Sequence, residues 1–130
     1  MNKYGFALAG SLTAIISARL YVGLGGSLDF TIFNHVLHHF YYGISLLILA
    51  GIMKVKKVPE SLIFFVVGMA LGFIFDEFDL ILSIGESYSL ELYDNPVNVA
   101  MDLILVLFLF RLSQSHNYVH GLLYDTEHVL

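Results

Sequence analysis

Three of the six histidines lie within five residues, at His35, His38 and His39, and a tyrosine follows at Tyr42. This spacing is typical of one helical face, because a helix turns by about 100° per residue and residues three or four apart are neighbours. Neutral imidazole is a common ligand of zinc, iron and other transition metals. The cluster therefore predicts one side of a metal site on a helix.

Carboxylates that would complete such a site occur at two later points of the chain. Asp76 and Asp79 are three residues apart and share a helical face, and Asp102 lies in another apolar stretch. Histidine and carboxylate together favour Zn²⁺, Fe or Mn. We expect a divalent transition metal, zinc or iron, in a mononuclear or dinuclear site. The predicted metal ligands are His35, His38, His39, Asp76, Asp79 and Asp102.

Other polar residues near these ligands predict catalytic roles. Glu77 points about 100° away from Asp76 around a helix, so we expect it to face a different partner, for which Arg19 is a candidate. A carboxylate beside a metal can act as general acid or base, and an arginine can hold an anionic head group. The predicted catalytic residues are Glu77, Asp79, Arg19 and Tyr42.

The composition predicts an integral membrane protein. Of the 130 residues, 58% are hydrophobic and 13% are charged, and the mean hydropathy is +0.79. A soluble domain carries about 25% charged residues. The lack of cysteine excludes disulfides, thiolate zinc sites, iron–sulfur clusters and cysteine nucleophiles. The net charge of −5, with no run of basic residues, argues against nucleic acid as a partner.

Four apolar stretches approach the length of about 20 residues that a helix needs to cross a bilayer. We therefore predict an all-α fold, a bundle of four transmembrane helices in one membrane domain over residues 1–130. A loop at 54–61, with three lysines and Pro59, separates the second and third helices. The expected spans are 4–25, 33–53, 62–84 and 97–112, followed by a short amphipathic tail at 113–130.

The basic residues predict how the bundle is oriented. Lys3, the lysines of the 54–61 loop and Arg111 lie on one side of a four-span chain, and the loops on the other side are acidic. By the positive-inside rule, both termini are cytoplasmic in a multi-pass protein of the plasma membrane. Arg19, the clustered histidines and the predicted carboxylates then all lie in the outer half of the bundle.

This arrangement predicts a metal-dependent membrane enzyme, an oxidoreductase or a hydrolase, that acts on a lipid or another apolar substrate. The expected partners are the bilayer and that substrate, and four short helices are compatible with a homodimer. A metal-ion or proton transporter or channel is the alternative. It is disfavoured because the inner halves of the spans contain no ionisable residue to line a pore. A non-catalytic metal sensor or accessory subunit, and a polar network without a metal, are further alternatives.

The five residues from His35 to His39 read H-x-x-H-H, a string that resembles the histidine boxes of membrane fatty-acid hydroxylases and desaturases. Those families use several such boxes, whereas this chain has one. We therefore do not extend the resemblance to the fold or the activity. Haem is also disfavoured, because bis-histidine ligation uses histidines on two helices and the outer-half histidines all belong to one predicted helix.

Overall fold

The computed structural model describes residues 2–24, 30–32, 35–37, 39–78 and 96–127, with side chains in 2–24, 39–78 and 96–116. The predicted all-α class with four helices is confirmed within these ranges, with a short two-stranded sheet added. The elements are α1 (Lys3–Gly23), β1 (Phe30–Ile32), β2 (His35–Leu37), α2 (His39–Val55), α3 (Glu60–Asp76) and α4 (Pro96–Glu127).

Helix α1 begins at an asparagine cap and presents small residues to its neighbours. The side-chain oxygen of Asn2 accepts a hydrogen bond of 2.8 Å from the Gly5 amide, which would otherwise lack an acceptor in the first turn. Small buried residues allow a second helix backbone to approach closely. The buried residues of α1 are Gly5, Ala7, Gly10, Ser11, Ala14, Ile15 and Ala18.

Helices α1 and α3 pack in parallel with their backbones in contact. A Cβ atom on Gly68 would overlap the carbonyl oxygen of Ala7, and one on Gly72 would lie 2.7 Å from the carbonyl oxygen of Ser11. The contacts advance by four residues along both helices, which shows that the two helices run in the same direction. Only glycine fits this approach, since any side chain would meet the facing backbone.

Helices α2 and α4 run in the opposite direction to α1 and α3. Gly43 of α2 packs against Ala70 and Ile74 of α3, and the start of α2 lies beside the end of α3. On α4, the carbonyl oxygen of Ser113 accepts a 2.7 Å hydrogen bond from Asn2 at the start of α1. The helix directions therefore alternate along the chain, and α3 contacts each of the other three helices.

A loop between the second and third helices is confirmed, at residues 56–59 and not over the whole predicted range 54–61. Lys57 has a φ of 57°, the left-handed conformation that commonly ends a helix, and its amide donates to the carbonyl oxygen of Lys54. Pro59 then precedes the first residue of α3 and cannot extend α2. Lys54 in the last turn of α2, with Lys56 and Lys57 of the loop, therefore lies at one end of the bundle, and we call this segment the lysine loop.

The start of the second helix differs from our prediction. Helix α2 begins at His39, whereas residues 35–37 form β2, which pairs antiparallel with β1 so that Ile32 faces His35 and Phe30 faces Leu37. The prediction that His35 shares a helical face with His39 is therefore wrong. Its spacing fitted a helix, but the aromatic and β-branched residues on both sides favour strands, and pairing with β1 decided between the two.

Two further helix bounds differ. Helix α3 ends at Asp76 rather than near residue 84, and the predicted ligand Asp79 lies outside the described residues. Helix α4 continues to Glu127. The prediction that a separate tail begins at residue 113 is therefore wrong for residues 113–127. We ended that helix where hydropathy falls. Backbone hydrogen bonding does not depend on polarity, however, and no proline interrupts residues 113–127.

Two described segments are long and apolar enough to cross a membrane, namely α1 and the Pro96–His116 part of α4. Helix α2 is a shorter apolar helix of the same kind, with 17 residues. The helices meet this description by their length and composition.

We expect Gly68→Ala to lower the free energy of unfolding by about 1–3 kcal/mol, because the added methyl group forces α1 and α3 apart. Gly51→Ala is the matched control, since a Cβ atom there would have nothing within 4 Å. In an open helical position alanine is favoured over glycine by about 0.5–1 kcal/mol. Thermal unfolding followed by circular dichroism measures both variants. Equal melting temperatures would contradict the backbone contact.

Candidate functional site

Buried ionisable side chains gather at the end of the bundle that is opposite the lysine loop. We call these residues, with the arginine that joins them, the charged cluster. Asn98, one turn before Asp102 on α4, is buried beside them, whereas the apolar core at the other end includes Ala7 and Leu109. The charged cluster consists of Arg19, His39, Asp76, Glu77 and Asp102.

Arg19 joins three helices through two carboxylates. Its Nη2 atom lies 3.0 Å from Oδ1 of Asp76 on α3 and 2.9 Å from Oδ2 of Asp102 on α4, and its Nε donates to the same Asp102 oxygen at 3.3 Å. The Asp76 side chain is fully buried, and that of Arg19 is 27% exposed. A buried carboxylate is stable only when it is paired, and guanidinium has the donors to serve two partners at once.

His39, the first residue of α2, faces two adjacent carboxylates at the end of α3. Its Nδ1 atom lies 3.7 Å from Oδ2 of Asp76 and 3.6 Å from Oε1 of Glu77, which is longer than a direct hydrogen bond. Asp76 therefore directs one oxygen towards Arg19 and the other towards His39. Through Asp76 the imidazole and the guanidinium belong to one electrostatic unit.

Glu77 reaches this position because α3 ends one residue earlier. Its backbone has left helical geometry, with φ −116° and ψ 28°, so its side chain is not directed away from Asp76 as a continuous helix would require. The two carboxylates share one neighbour, the His39 imidazole, and Glu77 also has a separate partner, as expected. The second oxygen of Glu77 accepts a 2.8 Å hydrogen bond from the Phe40 amide and so caps the first turn of α2.

Two aromatic rings hold the imidazole of His39 in place. The Tyr42 ring stacks on it, with centroids 6.2 Å apart and an interplanar angle of 22°, and the Phe73 ring meets it edge-on at 6.1 Å. The imidazole is almost completely buried. Packing of this kind fixes the direction in which the ring nitrogens point.

The structure thus brings together five of the predicted site residues in the charged cluster, with Tyr42 packed against it. The side chains of His35, His38 and Asp79 lie outside the described residues, so their predicted roles stay predictions. Among the side chains that are described, no group of three or more His, Cys, Asp or Glu residues is arranged to hold a metal ion.

Sequence reasoning missed the partners of Arg19. We considered Glu77 and a lipid head group for it, whereas the structure pairs it with Asp76 and Asp102. The distribution of the basic residues along the sequence contained a signal for these partners. Arg19 is the one basic residue that does not belong to the Lys3, lysine-loop and Arg111 side of the chain, and buried carboxylates at the same level need a counter-ion.

No protein-family model, no curated protein and no solved structure matches this chain.

We expect Glu77→Ala to lower stability by about 0.5–2 kcal/mol, because the Phe40 amide loses its acceptor at the start of α2. Glu77→Gln is the matched control, since its side-chain oxygen can still accept that hydrogen bond, and it should lose less. Amide hydrogen exchange at Phe40, together with thermal unfolding, measures the cap. If the two variants behaved alike, the negative charge and not the hydrogen bond would be the stabilising feature.

Proposed function

We propose that this chain is an integral membrane protein that crosses the bilayer four times. Large apolar side chains on the outer faces of the helices support this, because a soluble protein rarely exposes contiguous apolar surface of this extent. Ile48 on α2 and Leu107 on α4 are each about 60% exposed, and many neighbours are similar. Helices α2 and α3 are each about 25 Å long, which is slightly less than the roughly 30 Å of the hydrocarbon core of a bilayer. The ends of both helices would therefore lie close to the membrane interfaces.

The alternating helix directions support a cytoplasmic location of both termini. They bring Lys3 at the start of α1 to the same end as the lysine loop, and Ser113, bonded to Asn2, brings Arg111 to that end. Under the positive-inside rule this end is cytoplasmic. The charged cluster then lies near the outer surface, in the plasma membrane that we propose as the location.

One observation carries the proposal for the site, namely its excess of negative charge. The cluster holds three carboxylates and one guanidinium, a net charge of −2 when all three carboxylates are ionised and the imidazole is neutral. All six lysines and arginines of the chain lie in described residues. Apart from Arg19, they lie towards the opposite end of the bundle, at Lys3, Lys54, Lys56, Lys57 and Arg111. A buried excess charge is costly unless protons or a bound cation neutralise it.

We propose that a divalent zinc or iron ion supplies this neutralisation beside His39. A charge of +2 balances the cluster, and imidazole with carboxylate is the ligand chemistry that these metals use. His39 and Asp76 are the described residues that would bind it, and Glu77 lies at the same imidazole. His35, His38 and Asp79 remain proposed ligands on sequence grounds. Protons on His39 and on one carboxylate are the competing source of neutrality.

The proposed activity is metal-dependent chemistry on a lipid or another apolar substrate, in which a metal activates water or oxygen. The apolar core at the other end of the bundle supports a site over a conduit. There Ala7, Leu105 and Leu109 are buried together, and the described residues of that region offer no polar path. Flux of the bound metal across proteoliposomes would contradict this choice and favour a transporter.

We expect the purified wild-type protein to carry about one zinc or iron ion per chain by elemental analysis. His39→Ala should remove it, because the variant lacks the buried imidazole. His116→Ala is the matched control, since this histidine packs against Tyr4 at the opposite end of the bundle and should leave the metal content unchanged. A folded wild-type protein that binds neither zinc nor iron would overturn the metal proposal.

The proposed orientation can be tested with single cysteines, because the chain contains none. Leu24, which follows α1 and is 87% exposed, and Lys56 of the lysine loop lie at opposite ends of the bundle. An impermeant maleimide added to intact cells should label Leu24→Cys, and should label Lys56→Cys only after permeabilisation. Labelling of both in intact cells, or recovery of the protein in the soluble fraction, would contradict the proposal.

A further inference from the structure

We infer that Arg19 and Asp102 set the net charge of the metal site and thereby its affinity for divalent ions, without either of them binding the metal. This inference rests on the proposed metal site. It also revises the role of Asp102, which the sequence placed among the ligands. In the structure Asp102 is the partner of Arg19 on a helix that contributes no other member of the charged cluster.

The geometry separates the charged cluster into two halves that share one residue. In the first half, the Arg19 guanidinium lies between Oδ1 of Asp76 and Oδ2 of Asp102, at 3.0 and 2.9 Å. In the second half, Oδ2 of the same Asp76 faces His39. Arg19 and Asp102 therefore lie at one oxygen of Asp76, and the proposed metal lies at the other.

Asp102 also contributes charge. Its Oδ2 atom takes both hydrogen bonds from Arg19, while its buried Oδ1 atom has no hydrogen-bond partner among the described residues. When ionised, Asp102 therefore offsets the charge of Arg19, so that the net charge of the cluster equals that of Asp76 and Glu77. In a medium of low dielectric constant, adding or removing one unit of charge close to a divalent ion changes the affinity for that ion about tenfold or more.

The net charge changes in a defined way with each substitution. The wild-type cluster, with neutral His39, has three negative groups and one positive group, which gives −2. Asp102→Asn leaves −1 and Arg19→Gln leaves −3. The double variant R19Q/D102N returns to −2, and Arg19→Lys keeps −2 throughout.

The test is Co²⁺ binding to the purified full chain, with visible absorption to report both affinity and coordination. We expect D102N to bind Co²⁺ about tenfold or more weakly with an unchanged spectrum, because charge is lost but no ligand is. The double variant should return to within about threefold of wild type, and R19K should resemble wild type. Asn98→Ser, a change at a buried and uncharged neighbour on α4, is the control and should bind like wild type.

Two results would overturn the inference alone. An altered Co²⁺ spectrum in D102N would make Asp102 a ligand, and a double variant no better than D102N would make the Arg19–Asp102 pair structural. Wild-type protein that binds no Co²⁺ would overturn the proposed metal site together with this inference. Circular dichroism of every variant identifies a failure to fold. If D102N does not fold, R19Q decides: with a net charge of −3 it should bind Co²⁺ more tightly than wild type, and binding no tighter than wild type would overturn the inference.

Discussion

The contact of one guanidinium with two carboxylates is the interaction on which this end of the molecule depends. Arg19 on α1 is within 3.0 Å of Asp76 on α3 and of Asp102 on α4. Neither carboxylate could stay buried in its ionised form without a cation beside it. In the described residues away from this cluster, apolar contacts and the close approach of glycines to backbone set the distances between helices, but they do not select particular ionisable groups. Arg19 therefore determines which residues meet at the site.

The charged cluster also organises the backbone around it. Because α3 ends at Asp76, Glu77 turns towards α2, and its carboxylate accepts the hydrogen bond of the Phe40 amide. That hydrogen bond places the start of α2, and with it the imidazole of His39, opposite the end of α3. The same carboxylate thus stabilises a helix terminus and contributes charge to the site. Structural roles and the proposed functional roles coincide in these residues, so substitutions there have to be compared in charge-preserving pairs.

A large part of this arrangement was predictable. The four apolar stretches, the lysine loop and the shared level of Arg19, His39, Asp76 and Asp102 follow from hydropathy and from the alternation of helix direction. The strand at His35 and the early end of α3 were not predictable. In each case the local residues were compatible with a helix, and the outcome depended on a partner that is distant along the chain or belongs to another element. The prediction of the partners of Arg19 was wrong for the same reason, since several carboxylates lie at the same level of the bundle as Arg19.

The sequence by itself determined the helical class, the apolar character of the chain and the end of the bundle at which its charges collect, because these depend on composition and on spacing along one helix. Only the tertiary structure decided which groups pair. Pairing depends on helix rotation, on where each helix ends and on distances of a few ångströms between segments far apart in the chain, 83 residues in the case of Arg19 and Asp102. The histidine cluster at 35–39 illustrates the division: its residue types indicated a site, and the fold placed His39 at the start of α2 and His35 in a strand.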